Sequence, residues 1–164
     1  MAIRCLRAIL SLLMVTLASL PCLAGTSVPL KPRSDLDTFY VSIGVAGDQA
    51  EDYLVDTGAG YMTITTATLE RLQKMGSVTR IGQLDGRLAD GTVLRVPVYR
   101  LTEITVGQSC RLHNVDAAVL PGASRGLFGL SALRKASPFQ FSIDPPALTL
   151  SNCANPLGDV VAVE

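Results

Sequence analysis

The stretch Tyr53-Leu54-Val55-Asp56-Thr57-Gly58-Ala59-Gly60 decides how this chain is read. Three residues that favour burial run into a single carboxylate and a Thr-Gly turn. The pattern predicts a strand ending at Asp56, with the carboxylate at the mouth of the core. Water is scarce there, and a carboxyl group in such a place can be tuned for acid–base work. Gly58 lacks a Cβ, so the turn folds tightly and brings peptide N–H groups to the carboxylate. Thr57 adds a hydroxyl that donates or accepts while its methyl group packs. Taken alone, the tripeptide fits an ordinary turn after a strand equally well, since Asp and Gly are frequent turn residues. The flanking sequence has to separate the two readings.

Upstream, Phe39, Val41, Ile43 and Val45 alternate with Tyr40, Ser42 and Gly44, the period of a half-buried strand. Gly47-Asp48-Gln49 turns the chain, and Glu51 to Val55 returns as the partner strand running into Asp56. Tyr61 to Ile64 is a further short strand. Thr66 is placed to cap a helix carrying Leu69, Leu72 and Met75 at helical spacing, with Gly76 as its C′ stop. From Val78 to Val119 the pattern is strands broken by Gly turns. Asp90-Gly91 between apolar runs signals a hairpin, Pro97 keeps its strand off the centre of a sheet, and Gly107-Gln108 turns a second hairpin. Gly126 to Leu133 is an apolar strand passing through Gly129 into a helical turn. Phe139–Ile143, Ala147–Leu150 and Val160–Val163 read as closing strands. The sum is a mostly-β domain with one main helix, a small barrel or sandwich.

With 164 residues the chain suits one domain. Fourteen basic residues balance fourteen acidic ones, so charge points neither to nucleic acid nor to an anionic membrane. Residues 1–24 read as an export signal. Arg4 and Arg7 precede the uncharged run Ala8–Leu20, Pro21 breaks it, and Cys22-Leu23-Ala24 offers small residues before a cut at Gly25. That run of 13 residues is short of the roughly 20 a spanning helix needs. The expectation is a periplasmic or secreted protein, with an uncleaved anchor, and hence membrane attachment, as the alternative. Residues 25–36 are rich in Pro, Ser and basic residues, and read as a mobile leader or a dimer arm. The domain proper is expected over 37–152, and 153–164 as a tail or dimer strand. Loss of the signal leaves Cys110 and Cys153, a candidate disulfide in an oxidising compartment or two separate thiols.

The order of these features resembles the retropepsin-like aspartic proteases, in particular small exported or membrane-attached bacterial forms. The residues carrying the resemblance are the apolar approach to Asp56-Thr57-Gly58-Ala59 and, about 70 residues later, Leu127-Phe128-Gly129. The resemblance spans roughly Asp37 to Ser151. It implies half of a pepsin-like closed β-barrel with a hairpin flap, and a catalytic Asp56 supported by Thr57, Gly58 and Ala59. Leu88, Ala89, Asp90, Gly91 and Thr92 would form the flap over a peptide or protein substrate. Leu127, Phe128 and Gly129 would be the second half-motif, its glycine close beneath the catalytic loop. One Asp-Thr-Gly per chain then implies a homodimer with Asp56 from each subunit. The family needs no metal or cofactor. The rival expectation is a catalytically silent pepsin-like domain that binds peptides or partners.

Other chemistry is poorly supported. His113 is the sole histidine, so a His-rich metal site is excluded. Cys110 and His113, three apart on a strand, point to opposite faces, which argues against a Cys-His pair. Gly129-Leu130-Ser131 lacks the G-x-S-x-G elbow of serine hydrolases.

Overall fold

The computed structural model describes residues 25–35, 37–87 and 90–154. The export signal over 1–24, Leu88 and Ala89 of the expected flap, and the expected strand Val160–Val163 lie outside the described residues.

The alternation around Asp56 does produce paired strands. Thr38–Val45 (β3) pairs antiparallel with Glu51–Val55 (β4) across the turn at Gly47, where φ is +79°. Met62–Ile64 (β5) follows the Asp56 loop and leads into the helix Thr66–Lys74 (α1). The cap of α1 is Thr65, one residue earlier than expected. Its Oγ1 accepts the Thr68 N–H at 3.1 Å, satisfying one of the orphan donors of the first turn. Leu69 and Leu72 are buried, whereas Met75 caps the C-terminus half exposed, and Gly76 follows with φ +65°. Arg71 ties α1 to the β3–β4 hairpin, donating to Asp48 at 2.7 Å and pairing with Glu51.

Val78–Arg87 (β6) and Val93–Val106 (β7) form the long hairpin with Gly91 at its tip, φ +87°. Cys110–Val119 (β8) returns antiparallel to β7 through Gly107. β7 lies between β6 and β8 and is not kept off the centre of the sheet as Pro97 suggested; Pro97 is tolerated where β7 pairs only with β6, at Gln83, before the ladder to β8 begins at Val98. Leu127–Phe128 (β9) runs parallel to β4 and beside β5, and Gly129 opens the short helix Leu130–Leu133 (α2). Strand order through the main sheet is β3-β4-β9-β5-β8-β7, and a further pairing of β3 with β7 returns the sheet on itself. Val41, Ile43, Met62, Ile64, Leu101, Ile104, Phe128 and Leu133 fill its inside.

Within residues 25–36, expected as a mobile leader or a dimer arm, two strands pair inside this chain. Thr26–Pro29 (β1) pairs with Pro146–Leu150 (β11), which also pairs with Phe139–Ile143 (β10), and Lys31–Arg33 (β2) pairs with β3. Val28 and Leu30 are buried, so the polar residues that suggested a leader conceal two core anchors. The domain also runs past its expected end at 152. Cys153 is bonded to Cys110, with Cα atoms 4.8 Å apart, and Ala154 bridges Arg111.

Gly126 is fixed by close approach, since a Cβ there would enter the ring of buried Tyr53. Burial pushes the Tyr53 hydroxyl above its usual range, so the ring packs as a neutral group.

Three predictions follow from this packing. Gly126→Ala should lower stability by about 1–3 kcal/mol in urea unfolding, because the ring or the β9 backbone has to move. The disulfide closes 43 residues, and replacing both cysteines by Ala should lower stability by about 2–4 kcal/mol. The hydrogen bond from Arg71 holds the Asp48 carboxyl below its usual range. A carboxyl depressed in the folded state adds stability above its unfolded value and loses it as pH falls through the folded one. The unfolding midpoints of wild type and Arg71→Gln should therefore differ at neutral pH and converge in acid.

Candidate active site

Asp56 is carried at the end of β4 by two strands of different origin. Leu54 N–H donates to the Gly126 carbonyl at 3.1 Å, and Asp56 N–H to the Phe128 carbonyl at 3.2 Å. The loop then turns, with Ala59 N–H on the Asp56 carbonyl at 3.3 Å. Gly58 N–H donates to Asp56 Oδ1 at 2.9 Å, which orients the carboxylate as the Thr-Gly turn led one to expect. A Cβ on Gly58 would stand 3.2 Å from that same oxygen, tighter than ordinary contact.

Gly129 lies directly beneath this loop. A Cβ there would collide with the Tyr61 carbonyl and approach the Ala59 carbonyl oxygen to 2.9 Å. Leu130 N–H donates to that Ala59 carbonyl at 2.9 Å, so the start of α2 clamps the loop from below. Leu127, Phe128 and Gly129 thus do meet Asp56, Thr57, Gly58 and Ala59 in space.

Two hydroxyls outside the expected site residues hold these segments together. Thr63 is buried in β5, and its Oγ1 accepts Leu127 N–H at 3.0 Å. Ser131 Oγ donates to the Asp116 carbonyl at 2.6 Å and accepts Met62 N–H at 2.7 Å, joining α2, β8 and β5. Their only signal was a hydroxyl within each of two apolar runs, Met62-Thr63-Ile64 and Leu130-Ser131-Ala132. Cys110 is buried in its disulfide, which removes it as a nucleophile, and His113 faces Glu103 at 3.6 Å on the surface.

Asp56 opens into a groove of about 660 Å³ under the β6–β7 hairpin. Leu84, Val96, Ala118, Leu120 and Leu127 give it an apolar wall, and Tyr61 and Arg87 lie along it. At the hairpin tip Asp90 Oδ1 accepts Thr92 N–H at 2.9 Å, closing the turn around Gly91. A second cavity of about 590 Å³ lies elsewhere, between Ser27, Lys31 and Gly107, and holds no group of the Asp56 site.

The expected scarcity of water is not met by one chain. Asp56 is half-buried, and Thr57 and Gly58 are exposed. The loop is built from below and left open above.

The sequence over residues 41–135 matches the family model described as "gag-polyprotein putative aspartyl protease". The fold is similar to the crystal structure of a retropepsin-like aspartic protease from Rickettsia conorii. Identity is 18%, with 76% of this chain and 90% of that chain covered and a TM-score of 0.54, a likeness of fold. A comparison with curated proteins gives no match. With more than half of its length matched and the Asp-Thr-Gly loop clamped by Gly129, this chain belongs to the gag-polyprotein aspartyl protease family and has a retropepsin-like fold.

Proposed function

We propose that the chain is an aspartic endopeptidase that acts as a homodimer, each subunit contributing Asp56. The observation that carries this reading is the Asp56 carboxylate, fixed by Gly58 N–H at 2.9 Å and open to a peptide-sized groove under a hairpin. Family membership supports the reaction class.

The chemistry requires a second carboxyl. Two carboxyls a few ångströms apart cannot both ionise cheaply, so they share a proton and titrate as a unit. One acts as base on a water held between them, and the other as acid towards the scissile carbonyl. Each chain has one Asp-Thr-Gly. Asp90 is engaged in its own turn, and Asp85 pairs with Arg95 at 2.9 Å, so neither stands in for the second acid. The exposed faces of Thr57 and Gly58 are where a symmetric partner would close the site. Thr57 would bond across the twofold axis, and the hairpin would close over the bound peptide and exclude water.

Work outside the cytoplasm follows from the export signal expected over residues 1–24. The Cys110–Cys153 bridge supports it, since such bonds persist in oxidising compartments.

Incubating the purified protein with an unbiased peptide mixture and reading products by mass spectrometry tests the reading. Wild type should cut, and Asp56→Asn should lower the rate about 100-fold or more, because both acid and base roles pass through the pair. Specific activity should also fall on dilution as dimers part. Cuts that persist in the Asp56→Asn protein would remove Asp56 from the mechanism. Silence from wild type at concentrations where it is dimeric would favour a peptide-binding domain without catalysis.

A further inference from the structure

On the hairpin over the groove, Arg80 and Arg87 have no carboxylate partner among the described residues, and of the two only Arg87 lines the groove. Asp85 and Arg95 stand opposite each other in the β6–β7 register and pair at 2.9 Å. Asp90 takes the Thr92 N–H at 2.9 Å, and that bond holds its carboxyl below the usual range. Arg87 stands opposite Val93, an exposed apolar residue. Its Nη1 reaches the Gly91 carbonyl at 3.4 Å, and no carboxylate pairs with it among the described residues. A guanidinium has five N–H donors, so most of those on Arg87 remain open.

Arg87 nevertheless lines the groove. Strand alternation turns Leu84 and Gly86 towards the groove and puts Arg87 on the exposed face of β6 with Asp85, so Arg87, at the end of the strand, borders the groove from outside. Asp56 is the one acid along the groove among the described residues, and it is reserved for the reaction. The two positions that follow the loop, Gly60 and Tyr61, bring no charge. An incoming peptide therefore meets an apolar wall and a planar cation with no carboxylate partner among the described residues.

We infer that Arg87 is a specificity-determining residue, selecting peptides that carry a carboxylate side chain near an apolar residue at the cleaved bond. The inference rests on the protease reading above. A guanidinium fork matches a carboxylate in two parallel hydrogen bonds, which an ammonium or an amide does not reproduce. In a symmetric dimer both rims carry Arg87, so acidic residues are favoured on either side of the cut.

The test takes one peptide that the protein cleaves and resynthesises it with Glu, Gln or Lys at each flanking position. At low salt, Glu should exceed Gln by about twofold to fivefold in kcat/KM at one position or more, the range of a solvent-exposed ion pair. The difference should lie in KM and shrink as salt is added. Arg87→Gln should erase the preference, and Arg87→Glu should turn it towards Lys, a reversal that a purely structural role would not produce. The same ranking of peptides in wild type and both variants would overturn the inference while leaving the protease reading intact. Failure to cleave any peptide in the unbiased mixture would overturn the protease reading and this inference together.

Discussion

The site depends on one close approach, the passage of Gly129 beneath the carbonyls of Ala59 and Tyr61. No side chain fits between them, so the start of α2 can donate Leu130 N–H to Ala59 at 2.9 Å. The same loop carries the Gly58 N–H that fixes Asp56 Oδ1. β9 is only two residues long, yet it bonds to β4 on one side and β5 on the other. The strand into Asp56 and the strand out of the loop are thereby locked to one element. Thr63 and Ser131 complete the lock with hydroxyls where the backbone ladders end. A carboxylate on so short a loop keeps its place because groups on three separate segments hold the peptide units around it.

The same construction explains what a single chain leaves undone. Support comes from below, through β9 and α2, while the outer faces of Thr57 and Gly58 stay exposed. A general acid–base pair works best where water is excluded and charge is confined. One subunit provides the carboxylate and its orientation; enclosure and the second carboxyl are what a second copy would add. Arg87, along the same groove, has no carboxylate partner among the described residues.

Much of this was legible from residue order. Period-two alternation at Phe39–Val45 and the Asp90-Gly91 turn marked real hairpins, because local side-chain periodicity and positive-φ glycines act within a few residues. The contact between Leu127-Phe128-Gly129 and the Asp56 loop was reached only through resemblance, since nothing local ties positions 70 residues apart. Residues 26–33 misled for a physical reason. Their Pro, Ser, Lys and Arg content looks like a solvated arm, but Val28 and Leu30 find a core supplied by β11 and the β7–β8 turn, with Gly107 packed against Val28. The cysteine pair was compositionally ambiguous, and it became a bridge only once β8 and residue 153 were brought side by side. The hydroxyls of Thr63 and Ser131 were hidden because their partners are backbone groups on distant strands.

The most direct test of the central claim, that catalysis needs one Asp56 from each of two chains, is a subunit-mixing titration. Wild-type protein is co-refolded with increasing amounts of Asp56→Asn protein at constant wild-type concentration, and peptide cleavage is measured at each ratio. A shared dyad predicts that activity falls towards zero as mixed dimers replace wild-type dimers. Activity that stays constant across the titration would show that each chain works alone, and the two-chain mechanism would be wrong.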